Sequence, residues 1–181
     1  MTNWTSSLKR GLVLTVALLA LASTEWTSAE RGDQTLVVSK QVDGRGKARL
    51  YAFVRSHRLC LKLVRRFRRG GRRRIDDWTS CGLPRRSRGR LIVRRRAACY
   101  ARELQAMGIA PERTYRLRGR LDNGRRIAPH AYDPPADVVP RGKLFMRISR
   151  GAEVTSLRAI DEKGRKLASV RLAPFRGSPC G

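Results

Sequence analysis

Seven arginines fall within ten residues, Arg65 to Arg74, in the run RRFRRGGRRR, and three more stand together at Arg94, Arg95 and Arg96. A guanidinium stays charged at every biological pH and meets phosphate or carboxylate as a two-pronged fork. Arg65, Arg66, Arg68, Arg69, Arg72, Arg73, Arg74, Arg94, Arg95 and Arg96 therefore form the candidate polyanion-binding set. Such a density concentrates anions whatever their chemistry. Fourteen arginines lie between positions 65 and 96, against two aromatics, Phe67 and Trp78. Without arrayed aromatics, a zinc finger or an RNA-recognition signature, sequence-specific nucleic-acid reading is not expected. The competing account is a solvated charged surface with no selected partner. Lysine occurs only at positions 9, 40, 47, 62, 143, 163 and 166, although lysine and arginine together number 41. GC-rich coding alone would produce that imbalance.

Catalytic chemistry is thinly supplied. His57 and His130 are the only histidines, and no H-E-x-x-H, G-x-S-x-G, phosphate-loop or dinucleotide fingerprint occurs. Asp76-Asp77 and Asp161-Glu162 are sequence neighbours, which a strand would send to opposite faces, so neither pair makes an acid–base couple. Asp76 and Asp77 are expected to offset the arginines before them. The four cysteines, Cys60, Cys81, Cys99 and Cys180, are separated by 20, 17 and 80 residues. Zinc ligands come in close pairs, so disulfides are expected. Of three possible pairings, Cys60–Cys81 and Cys99–Cys180 are favoured, the first closing a local loop and the second tying back the carboxyl terminus. No metal, cofactor or small-molecule substrate is expected.

Lys9 and Arg10 precede an apolar run, Gly11 to Ala22, and small residues follow. This is the layout of a secretory signal peptide, with cleavage after Ala22 or, preferred because it removes Trp26, after Ala29. A span needs roughly 20 apolar residues, so an uncleaved anchor is the weaker alternative. Removing Lys9, Arg10 and Glu25 with a leader 1–29 takes the net charge from +27 to +26. The expected protein is secreted or extracytoplasmic.

The elements that must carry these residues read as strands. Leu36-Val37-Val38 precedes an Asp43-Gly44 turn signal; ARLYAFV (Ala48–Val54) and RLCLKLV (Arg58–Val64) alternate around Ser56-His57, as paired antiparallel strands do. Leu59, Leu61 and Leu63 share one face. LRGRLDNGRRIA (Leu117–Ala128) and LRAIDEKGRKLA (Leu157–Ala168) repeat at an offset of 40, with Gly124 over Gly164, and predict two hairpins. KLFMRI (Lys143–Ile148) is a further strand. His130–Gly142, with three of the eight prolines, is expected to cross between hairpins, and Arg65–Arg74 to be a loop outside the core. Propensity predicts a short helix near 97–107, with a strand through Leu104–Ala110 as the alternative. The fold expected is a small antiparallel all-β sandwich, possible in immunoglobulin-like form, with disulfides and a signal-peptide helix ahead of it. The divisions are 1–29 signal peptide, 30–96 hairpin subdomain with the arginine-rich loop, and 97–181 sandwich-like subdomain, the last two packing as one domain or standing apart.

Over Gly108–Val170, the pattern Gly108-Ile-Ala-Pro, YRLRGRLDNGRRIA and KLFMRISRGAEVTSLRAIDEKGRKLA resembles small exported proteins of high-GC Gram-positive bacteria. The resemblance implies a β-sandwich-like fold, favours a strand at Leu104–Ala110 and supplies no catalytic residue. Outside such a cell the available polyanions are wall teichoic polymers, anionic lipid headgroups and released nucleic acid. SHRLCLKL (Ser56–Leu63) is also similar to the S-H-G-C stretch of L,D-transpeptidases. It departs by one extra residue between His57 and Cys60, which changes the face Cys60 occupies, and a disulfide would consume the thiolate. The function expected is an exported, non-enzymatic cationic protein that adheres without selectivity to anionic polymers or lipid surfaces. The alternatives are a specific binding or accessory protein acting through a β face, and a cysteine-dependent peptidoglycan enzyme.

Overall fold

A computed structural model describes residues 34–42 and 46–175. The leader 1–29, the Asp43-Gly44 turn and Cys180 lie outside the described residues. Among the described residues eleven strands follow in order: β1 Thr35–Gln41, β2 Gly46–Arg55, β3 Arg58–Arg69, β4 Arg72–Leu83, β5 Ile92–Ala98, β6 Glu103–Ala110, β7 Arg116–Leu121, β8 Arg126–Ile127, β9 Lys143–Ser149, β10 Val154–Ile160 and β11 Lys166–Arg171. All pairings between them are antiparallel. They form three sheets, β1-β2-β3-β4, β5-β6-β9 and β11-β10-β7-β8. The protein is all-β, and Cys60 is bonded to Cys81. Among the described residues no helix is long and apolar enough to cross a membrane.

The sheet β5-β6-β9 lies between the other two because β6 and β9 carry apolar residues on both faces. Met107, Ile109, Leu144, Met146 and Ile148 join Leu50, Leu59, Leu61, Leu63 and Leu83 of the first sheet in one core. Ala106, Ala110 and Phe145 join Leu117, Leu121, Leu157 and Ala159 of the third sheet in a second core. Strict alternation on β9 thus sends Leu144 and Phe145 to different cores. A boundary at residue 96 would fall inside β5, and the first core draws on segments from both sides of it.

Several local expectations hold. Ser56 and His57 are the two turn residues between Arg55 and Arg58, both with positive φ. Gly124 and Gly164 have φ of 78° and 81°, and each closes a matching turn: Leu121 N–H to the Arg125 carbonyl, and Asp161 N–H to the Arg165 carbonyl. The residues between β8 and β9 cross from the third sheet to the middle one, and bury Val138 and Val139 on the way.

The strand alternative at Leu104–Ala110 holds over the helix, and one further expectation fails. Glu103–Ala110 is a strand, and the helical segment shrinks to a single 3-10 turn, Cys99–Ala101. Helix propensity loses because a strand here pairs with β5 and β9 at once and buries both its faces. Nor is Arg65–Arg74 a loop: it is the tip half of the β3–β4 hairpin, turning on Gly70-Gly71.

The second echo turn carries a pH signature. Asp161 accepts the Arg165 backbone N–H and Nε, each at 2.8 Å. Burial pushes its carboxyl up, but the Arg165 hydrogen bonds and charge outweigh this and hold it below its ordinary 3.8. A lowered folded pKa adds stability above the unfolded value, and that stability is lost as pH falls through the folded one. Asp161→Asn should therefore be less stable than the parent at neutral pH, with the gap closing as pH falls below about 4; thermal unfolding across pH checks this.

Candidate functional site

The hairpin β3–β4 sorts the predicted arginines by strand parity. Leu59, Leu61, Leu63, Arg65 and Phe67 are all buried on the core face of β3, so Arg65 continues the leucine stripe inward. Its side chain is fully buried and Glu103 is 1% exposed. Arg65 Nε donates to both Glu103 carboxylate oxygens at 3.2 and 3.0 Å, Nη2 donates to Oε1 at 2.9 Å, and Nη1 donates to the Arg66 carbonyl at 3.0 Å. Gly46 makes room for this guanidinium: a Cβ there would stand 2.0 Å from the Arg66 carbonyl oxygen and 2.8 Å from Arg65 Nη1.

Next to this pair lies a second polar cluster. Arg96 Nη2 donates to the Asp76 carboxylate and, at 3.1 Å, to Gln105 Oε1, while Gln105 Nε2 donates to Asp76 at 3.0 Å. The Arg96 guanidinium also lies 5.6 Å from the Trp78 ring. Glu103 and Gln105 share the β6 face of Met107 and Ile109, so the first core is apolar at one end and ionic at the other. Asp76 therefore offsets Arg96 on another strand, and Asp77 lies 3.7 Å from Lys62; neither pairs with the run before it. Arg95 points to the opposite face of β5. It donates to Glu153 at 3.1 Å and lies over the Phe175 ring, holding the chain that follows β11.

Tyr100 organises two more. The Arg69 and Arg74 guanidinium groups lie 5.0 and 5.7 Å from its ring, and Arg69 Nη1 donates to its carbonyl at 2.6 Å. Five of the ten predicted residues, Arg65, Arg69, Arg74, Arg95 and Arg96, are thus held by other parts of the fold.

The other five, Arg66, Arg68, Arg72, Arg73 and Arg94, are exposed. Arg66, Arg68 and Arg73 share the outer face of the first sheet, which no other sheet of the described residues covers. Lys47 of β2 stands opposite Arg66, and Arg68 opposite Arg73. With Gly46 and Ile75 these residues line a groove of about 940 Å³ whose walls, among the described residues, hold no carboxylate. Arg72 extends the charge at the tip, and Arg94 is separate, on β5. Sequence reasoning missed Glu103, Gln105, Tyr100 and Lys47. The first two were within reach, since a strand starting at Glu103 puts both on the face of Met107.

Cys60 has no thiol in this state, being bonded to Cys81, and its residue is fully buried. Cys99 is also disulfide-bonded; its expected partner, Cys180, lies outside the described residues. Comparison with protein-family models, curated proteins and solved structures gives no match for this chain.

Proposed function

We propose that this chain is an exported, non-enzymatic cationic protein that adheres to anionic envelope polymers through the outer face of its β2–β3–β4 sheet. One observation carries this reading: Lys47, Arg66, Arg68 and Arg73 stand together on the outer sheet face, in a groove that among the described residues holds no carboxylate. Like charges directly opposite across a sheet destabilise it, and a bound polyanion relieves that repulsion. The Cys60–Cys81 disulfide fits an oxidising compartment, in keeping with the leader read at 1–29.

The test is retention of the oxidised protein on duplex DNA, anionic vesicles and wall polymer, with a neutral glycan as control. Wild type should be held by every polyanion at low salt and released at high salt. A variant with Lys47, Arg66, Arg68 and Arg73 all changed to serine should lose most retention on each. Equal retention of the two proteins would remove the outer face from the account. A second reading rests on Ile75, which is 65% exposed amid these cations: a specific partner could dock on the same face. Retention on one ligand alone, surviving high salt, would favour it.

A further inference from the structure

A second concentration of cations in a concave site lies at the other end of the hairpin. There the β2–β3 turn, the segment joining β4 to β5 and Pro140 border an open cleft of about 930 Å³. Arg58, Arg85, Arg86, Arg88 and Arg90 line it together with His57, and among the described residues no carboxylate does. Arg85 is partly occupied, since its guanidinium donates to the carbonyls of Asp137 and Val138. The other four have no side-chain partner among the described residues.

Two features mark this as a built cavity. The segment from Pro84 to Arg90 is fixed by its backbone: Ser87 N–H donates to the Arg141 carbonyl at 3.1 Å, Arg90 N–H to the Ser87 carbonyl at 2.9 Å, and Ser87 itself is buried. In addition, four residues other than glycine have positive φ among the described residues, and three of them are Ser56, His57 and Arg88. His57 and Arg88 line the cavity and Ser56 adjoins it. At Ser56 and His57 the two-residue turn requires this conformation; at Arg88 it is costly for a residue other than glycine, and such positions gather at ligand sites. Glycine would remove that cost at Arg88, and would remove a cation with it.

We infer that this cavity binds a compact organic phosphate bearing at least two negative charges, a diphosphate or a phosphomonoester. Several converging guanidinium groups exceed what a single carboxylate can neutralise, whereas phosphate oxygens accept forks from more than one arginine. The volume lies within the range of small-molecule sites, and Pro84, Ile92 and Pro140 give the cavity an apolar wall for the group that carries the phosphate. This site is independent of the outer-face groove, which it does not overlap.

Calorimetric titration of the oxidised full chain with inorganic pyrophosphate tests the inference, with acetate as control. Saturable one-to-one binding is expected for pyrophosphate and none for acetate. Arg86→Ser, Arg88→Ser and Arg90→Ser together should weaken it by about tenfold or more. Arg88→Gly keeps the backbone conformation, so it should fold at least as stably as the parent while binding several-fold more weakly. The outer-face quadruple variant should bind pyrophosphate as the parent does, which separates this inference from the adhesion proposal. Non-saturable binding, or equal affinity in the parent and the triple variant, would overturn it. Phosphatidic acid vesicles that displace pyrophosphate would place the phosphate on a lipid; failure to displace it, with pyrophosphate still bound, would place it on a soluble molecule.

Discussion

Glu103→Ala is expected to destabilise the oxidised protein by about 3–5 kcal/mol, since it strands a fully buried guanidinium without its counter-ion. The Arg65–Glu103 pair is closed to water on both sides, and three hydrogen bonds join the two side chains. Arg150 lies 3.8 Å from Glu103 but is 39% exposed, so it can be solvated alone. Arg65 cannot. Against a typical total of about 5–15 kcal/mol, the loss is a large share. Replacing both partners, Arg65→Met with Glu103→Leu, should restore most of it, because apolar side chains of similar volume fill the space without stranding a charge. Denaturant midpoints for the parent and both variants decide the matter. A Glu103→Ala cost below about 1 kcal/mol, typical of exposed pairs, would mean that water reaches the pair.

Opening the Cys60–Cys81 bond should have the next largest effect. The cysteines are 21 residues apart, and in the chain-entropy treatment closing such a loop stabilises by about 3 kcal/mol. The bond sits where the β3–β4 register shifts between Leu59 and Leu61, two residues from Arg58 and three from Pro84. The double variant Cys60→Ala, Cys81→Ala should unfold at lower denaturant and bind pyrophosphate more weakly. Its retention on polyanions should change less, because the Gly70-Gly71 tip lies roughly 30 Å further along the strands. Unchanged unfolding would show that the β3–β4 pairing needs no covalent tie. Loss of both binding activities alike would point to general unfolding.

Much of this architecture is local and could be read from the chain. Alternation at Ala48–Val54, Arg58–Val64 and Lys143–Ile148 marks strands because one face of each must be apolar, and Ser56-His57, Asn123-Gly124 and Lys163-Gly164 mark turns. What escaped depends on distant partners. Arg65 looks like surface charge until Glu103, 38 residues on, is placed against it. Helix formers such as Glu103, Leu104 and Gln105 become strand only because β5 and β9 lie on either side. Five of the ten arginines expected at the anion site are engaged within the fold for that reason. Arg85–Arg90 is itself dense in arginine, but nothing in the chain shows that it faces a cleft, because folding alone brings Arg58 and Pro140 to it.

On the function proposed, adhesion runs through the unpaired outer-face cations and not through total charge. The salt dependence of binding to duplex DNA, a polyanion of known charge spacing, decides between the two. Each neutralised phosphate contributes about −0.9 to the slope of log K against log salt. Changing Lys47, Arg66, Arg68 and Arg73 to serine should therefore flatten the slope by about 3–4 units, whereas changing four exposed arginines of the third sheet, Arg116, Arg118, Arg120 and Arg126, should leave it nearly unaltered. Equal flattening by both sets would contradict the claim and leave bulk charge as the explanation.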